Sequence, residues 1–179
     1  MIKGLDMFLF KTEKENTAKK TMEILEAFKR EERKFINLGF GRIKIGCIID
    51  DGAEYRMSHE LDFLQPVATW YNANAINNWI SKRFNINAPI HFPVVLSRDL
   101  LCELYSCCKT VLEACVDKDG NINIDTKVCE KLLPCNENYK GYGYHNDYIQ
   151  DIKDTMSTIS TIMLTTNFDK SNVLYVSDW

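Results

Sequence analysis

Apolar residues crowd residues 2–10, where Ile2, Leu5, Met7, Phe8, Leu9 and Phe10 alternate imperfectly with polar positions. This predicts a buried strand interrupted by Asp6. From Glu13 to about Lys34 the period changes: Ala18, Met22, Leu25 and Phe28 recur at helical spacing, with Lys and Glu elsewhere. This predicts an amphipathic helix whose charge run is a solvated face. Gly39, Gly41 and Gly46 bracket Arg42-Ile43-Lys44-Ile45, followed by Cys47-Ile48-Ile49 and the turn dipeptide Asp51-Gly52. One or two short strands fit that pattern.

Pro66 suits the first turn of a helix running to about Phe84, because proline is tolerated where the amide hydrogen has no helical partner. At roughly 100° per residue, Trp70, Asn74, Asn77 and Ser81 share one side of that helix, and Ala68, Ala75 and Trp79 the other. The second side is the expected core face. Ser97 is placed to cap a helix with the apolar stripe Leu101, Leu104, Cys108, Val111 and Cys115, which Asp119-Gly120 closes with a turn. A short helical piece from Thr126 to Leu133 stops before Pro134, and Tyr139 to Tyr144 is an aromatic, glycine-punctuated segment. Ile149, Ile152, Met156, Ile159 and Met163 mark a last helix, and Val173 to Val176 a terminal strand. Without regular βαβ alternation the expected class is α+β: a small mixed or antiparallel sheet of terminal and central strands, packed against about four helices. The expected organisation is a single domain over residues 1–179.

Composition narrows the functional classes. A chain of 179 residues with 45% hydrophobic content has enough apolar material for one core. Its net charge of −3 gives no long-range field favouring phosphate backbones, so nucleic acid is disfavoured as a partner. No run approaches the ~18 apolar residues of a membrane span, and the first residues have no long apolar signal core, so a cytoplasmic location without a membrane partner is expected. Seven cysteines, an odd number, fit reduced thiols better than a disulfide framework.

Several motifs suggest chemistry that their spacing does not support. Asp117 to Asp125 places oxygen-bearing side chains at alternate positions, but an EF-hand requires glycine sixth and glutamate twelfth, where this chain has Gly120 too early and Val128. A polar turn is expected instead. Cys102, Cys107, Cys108 and Cys115 include no Cys-x-x-Cys pair, which favours core packing over zinc. His59, His91 and His145 stand apart, and Gly39-Phe40-Gly41 lacks the rest of a phosphate loop. No metal or cofactor is expected. Asp6 is the more unusual residue, because burying a carboxylate costs several kcal/mol, roughly, unless it is paired.

Four features recur in order along the chain: Gly4-Leu5-Asp6-Met7; the spacing Trp70-x-x-x-Asn74-Ala75-Ile76-x-x-Trp79; Leu133-Pro134 before a glycine-aromatic segment; and a last Tyr175-x-Ser177-x-Trp179. Together they resemble a family of small accessory, non-structural proteins encoded by bacteriophages and prophages. The family helix commonly reads Tyr-Trp-Arg-Lys-Ala-Asn-Ala-Ile-His. Here Tyr71 and Asn72 replace the basic pair and Asn77 replaces the histidine, which removes a proton carrier and two cations. The region from Glu13 to Glu60 is also longer than in compact members, and is a place where specificity could reside.

The resemblance implies a phage protein acting on host components in the host cytoplasm, and aromatic plus amide groups favour binding over catalysis. The expected function is a non-enzymatic binding protein, such as an inhibitor of host defence, that captures a nucleotide-like ligand or a host protein. Asp6, Trp70, Asn74, Tyr142 and Trp179 are the candidate ligand-binding residues. Asn74 would read polar edges, Trp70 and Tyr142 would stack, and Asp6 would orient hydroxyls or a neighbouring side chain. One alternative is a nucleotide-processing hydrolase in which Asp6, Asp147 and His145 converge. Another is an assembly protein whose aromatics form a homodimer interface.

Overall fold

The computed structural model describes residues 6–14, 47–50, 54–57, 65–71, 73–86, 90, 93–135, 143–144 and 146–178. Its strands are β1 (Asp6–Glu13), β2 (Cys47–Asp50), β3 (Glu54–Met57), β4 (Gln65–Tyr71), β5 (Val94–Leu96) and β6 (Ser171–Asp178). Its helices are α1 (Asn74–Phe84), α2 (Arg98–Cys115), α3 (Thr126–Leu132) and α4 (Asn146–Thr165). The fold class is α+β, as the sequence pattern predicts. The contacts divide the chain into two compact units. One comprises Met1–Asn72, Pro89–Leu96 and Thr166–Trp179; the other comprises Ala73–Ala88 and Ser97–Thr165.

The first unit is built on a four-stranded antiparallel sheet of order β4-β1-β6-β5. Met7, Phe8, Leu9 and Phe10 of β1 are at most 1% exposed, so both alternating sets of side chains are covered. Val173, Leu174, Tyr175 and Val176 of β6 are buried in the same way. Strands covered on both faces read as near-continuous apolar runs, which is why β1 and β6 show so little alternation. Their ladder runs from Asp6 opposite Asp178 to Glu13 opposite Ser171. The expected pairing of the first and last strands is therefore present over Asp6–Phe10, while residues 2–5 lie outside the described part. Strands β2 and β3 pair antiparallel in a second, two-stranded sheet, with Asp50 opposite Glu54. The helix expected from Glu13 to Lys34 falls almost wholly outside the described residues, and Glu13 itself ends β1.

One element is corrected. The predicted helix from Pro66 to Phe84 divides into strand β4 and the shorter helix α1. Thr69, Trp70 and Tyr71 are β-branched or aromatic, and pairing with Phe8, Met7 and Asp6 of β1 decides their conformation. Pro66 lies in a sheet-edge strand, opposite Phe10 and beside a register shift that leaves Val67 unmatched. Proline within a sheet is confined to such edge or bulged positions.

The second unit is helical, and its boundaries follow local signals. Ser97 caps α2 by accepting from the Leu100 amide, and Asp125 caps α3 by accepting from the Lys127 and Val128 amides. Helix α1 ends at Asn85, whose φ of 53° is left-handed, a conformation asparagine tolerates better than most residues. The α2 stripe of Leu101, Leu104, Cys108, Val111 and Cys115 is buried as its spacing predicts. In α4, Ile149, Ile152, Ile159 and Ile162 are buried, and α2 packs on both α4 and α3. Trp79 is 5% exposed, on the predicted core side of α1. Asn74, Asn77 and Ser81, expected on the opposite outer side, are also buried.

Trp79→Ala is expected to lower stability by ~3–5 kcal/mol, through lost burial and the cavity left behind. Leu164→Ala, at a side chain 86% exposed, should stay within about 0.5 kcal/mol of the parent. Urea denaturation of the two variants checks both values.

Candidate functional site

Trp70 and Asn74 do not share a helix face. Trp70 lies in β4 opposite Met7, and Asn74 opens α1 after Ala73. They belong to different units. Trp70 is 7% exposed and Asn74 4%, so neither presents the open stacking or edge-reading surface expected of it. Asp6 occupies the register position opposite Tyr71 on one side and Asp178 on the other, within the sheet ladder. Tyr142 and Trp179 lie outside the described residues, as do His59, His91 and His145. Asp147, the other acid of the hydrolase alternative, is exposed in the first turn of α4.

Trp70 retains one feature of a recognition residue. Its indole Nε1 is fully buried and has no hydrogen-bond partner among the described residues. An unpaired buried donor costs about 1–3 kcal/mol, and indole N–H groups usually find an acceptor when buried. Thr12 Oγ1 of β1 is in the same condition. The β1 ladder puts Met7 and Thr12 on opposite sheet faces, and Trp70 is the partner of Met7, so these two atoms do not converge on one site.

Two polar side chains of β6, Tyr175 and Ser177, are tied into the sheet unit. Tyr175 is fully buried, its hydroxyl held by the side chain of Ser177, and burial pushes its phenol well above the usual range. Ser177 Oγ accepts from the Ile90 amide at 2.8 Å, while the Ser177 amide donates to the Ile90 carbonyl at 2.9 Å. This double link fixes residue 90 against β6.

Two side-chain clusters in the helical unit were not visible in the sequence. In the first, the Arg83 guanidinium lies 4.8 Å from the Trp79 ring centroid and forms an ion pair with Glu103. Cys107 hydrogen-bonds Trp79; burial and nearby Glu103 raise its thiol above the ordinary range, against the opposing pull of Arg83. In the second, Tyr148 is buried and donates to the Leu133 carbonyl at 3.0 Å, and Tyr144 packs edge-on against it at 5.0 Å. Tyr144 Oη accepts from the Cys135 amide at 3.4 Å. Burial, with Asp151 nearby, pushes the Cys135 thiol up to about 11. Asp151 itself is pushed up to about 7, by burial first and then by Asp154 and Asp147.

The Asp117 segment is the polar turn predicted. Its carboxylate accepts from the Asp119 and Asn121 amides and from Asn121 Nδ2, and these bonds hold it below the usual carboxylate range. Gly120 takes a φ of 85°, which a side chain would strain. Cys108 and Cys115 are core residues, and Cys102 is exposed. Among the described residues, no three His, Cys, Asp or Glu side chains are grouped to hold a metal ion. No described helix is long and apolar enough to cross a membrane. No family model matches the chain, nor does any curated protein or solved structure.

Asp151 is expected to make stability depend on pH. Its folded value of about 7 lies above the ordinary 3.8, so the folded state holds this proton more tightly than the unfolded chain. Its stabilising contribution is complete below about pH 4 and is lost as pH rises to about 7. Asp151→Asn is expected to flatten that decline and to be more stable than the parent at pH 8. Denaturation midpoints at pH 4, 6 and 8 test this, and parallel curves for the two proteins would remove Asp151 as the cause.

Proposed function

We propose that this chain is a phage-type accessory protein that acts in the host cytoplasm by binding rather than catalysis, capturing a nucleotide-like ligand whose polar edge accepts a hydrogen bond from Trp70. The observation that carries this reading is the buried Trp70 Nε1, a donor without a partner among the described residues. A ligand carbonyl, ring nitrogen or phosphate oxygen supplies the missing acceptor, and the surrounding burial strengthens that bond relative to water. Trp70 thus recognises by donating, in place of the stacking role read from the sequence. Asp6 and Trp179 remain proposed contributors.

A host protein is the alternative occupant, and a single experiment separates the two. Gently purified full-length protein is denatured, and the released small molecules and co-purifying proteins are identified by mass spectrometry. The expected result is a nucleotide-like compound retained by the parent and lost from Trp70→Phe, which keeps an aromatic ring but lacks the N–H. Replacing the buried indole by the smaller phenyl ring also removes packed volume, so Trp70→Phe is expected to melt below the parent, and retention is compared at a temperature where circular dichroism shows both proteins folded. Retention of the same compound by Trp70→Phe would overturn the assignment. Retention of a protein alone would transfer the site to a macromolecular partner.

A further inference from the structure

Cys115 ends α2 and Cys129 lies within α3, and their sulfurs are 3.6 Å apart in a thiol–thiol contact. The side chains are 1% and 0% exposed. A series of backbone hydrogen bonds sets this approach. After Cys115 the chain turns back through the Val116–Ile122 bridge, and the Asn123 amide donates to the Cys115 carbonyl at 2.8 Å. The Asp125 amide then donates to Cys115 Sγ at 3.4 Å. Asp125 caps α3, and the Cys129 amide donates to the Asp125 carbonyl at 3.0 Å, which places Cys129 one turn inside the helix. Cap, turn and bridge together hold the two sulfurs face to face.

We propose that Cys115 and Cys129 form a reversible dithiol/disulfide couple whose oxidation staples α3 to the end of α2. A disulfide needs the sulfurs about 1.5 Å closer than they are now. Side-chain rotation and a small shift of α3 can supply this, because α3 is seven residues long and Thr126, Lys127, Glu130 and Lys131 are exposed.

The oxidant is a low-molecular-weight disulfide. One cysteine thiolate attacks it, forming a mixed disulfide and releasing one small thiolate. The second cysteine then attacks the protein-side sulfur, forming the Cys115–Cys129 bond and releasing the other small thiolate. Both thiol protons pass to the released thiolates; two cysteine sulfurs are oxidised and the small disulfide is reduced. Burial pushes the Cys129 thiol up to about 12, so exchange proceeds while α3 is locally open.

The test is to refold the full chain from urea in glutathione buffers of increasing oxidised fraction, acid-quench, alkylate the remaining thiols and map the peptides. Cys115 and Cys129 should lose alkylation together and appear as one linked peptide, lighter by two hydrogens than the reduced pair. The linked form should melt roughly 5–10 °C higher than the reduced form, because the bond closes a 15-residue loop. In Cys129→Ala, Cys115 should stay alkylatable or carry glutathione, with no intramolecular partner. Separate alkylation of Cys115 and Cys129 where exposed Cys102 already carries glutathione would overturn the proposal. So would their pairing with other cysteines, and an unchanged melting temperature would refute the staple.

Discussion

The sheet unit depends on the pairing of β1 with β6. These strands occupy the middle of the order β4-β1-β6-β5, so both their edges are hydrogen-bonded and both their faces are covered. Glu13 meets Ser171 across the ladder, so closing it requires a long loop whose entropic cost must be met before the contacts form. What offsets that cost is a continuous apolar strip, Met7 to Phe10 against Val173 to Val176, at about 25 cal/mol per Å² of apolar surface removed from water. The Tyr175–Ser177–Ile90 hydrogen bonds allow polar atoms to sit in that strip without being left unsatisfied.

The helical unit is stabilised differently. Most of it is one continuous segment, Ser97–Thr165, with a short contribution from Ala73–Ala88. Three of its helix ends are set by caps that need only neighbouring residues: the Ser97 hydroxyl, the Asp125 carboxylate and the left-handed Asn85. Local contacts of this kind form quickly, whereas the β1–β6 ladder requires distant segments to meet. Helix α1 is fastened to its unit by Asn78, which donates to the Pro134 carbonyl at 2.7 Å, and by Arg83, which spans the Trp79 ring and Glu103.

The parts of the fold that were legible in the sequence are those with a local cause. The spacing of Leu101, Leu104, Cys108, Val111 and Cys115 and the placement of Ser97 specified α2, and the apolar runs specified β1 and β6. Residues 66–71 were misread because Pro66 fits a helix start and a strand edge equally well, and only pairing with β1 decides between them. The outer face of α1 was misread because amide and hydroxyl side chains count as polar in a periodicity argument, whereas Asn74, Asn77 and Ser81 are buried. Ser81 shows how such a group is accommodated, its hydroxyl donating to the Asn77 carbonyl at 2.7 Å. Of the candidate site, Trp70 was read from the sequence as a stacking aromatic on a helix, whereas its burial depends on strand pairing with Met7. The Cys115–Cys129 contact depends on the intervening turn, and no spacing rule anticipates it.

The register shift in β4 has a consequence for how copies of this protein behave together. Exposed sheet edges are templates on which further strands can add, and proteins protect them with proline, bulges or very short strands. Among the described strands one edge is β4, where Pro66 offers no amide hydrogen and the unmatched Val67 breaks the regular donor and acceptor spacing. The other edge is β5, only three residues long. A strand arriving at either of these edges would meet an interrupted or truncated ladder, a poorer template for strand addition than a long regular one. The proline read from the sequence as a helix start thus sits where a sheet edge is a weaker template for a further strand.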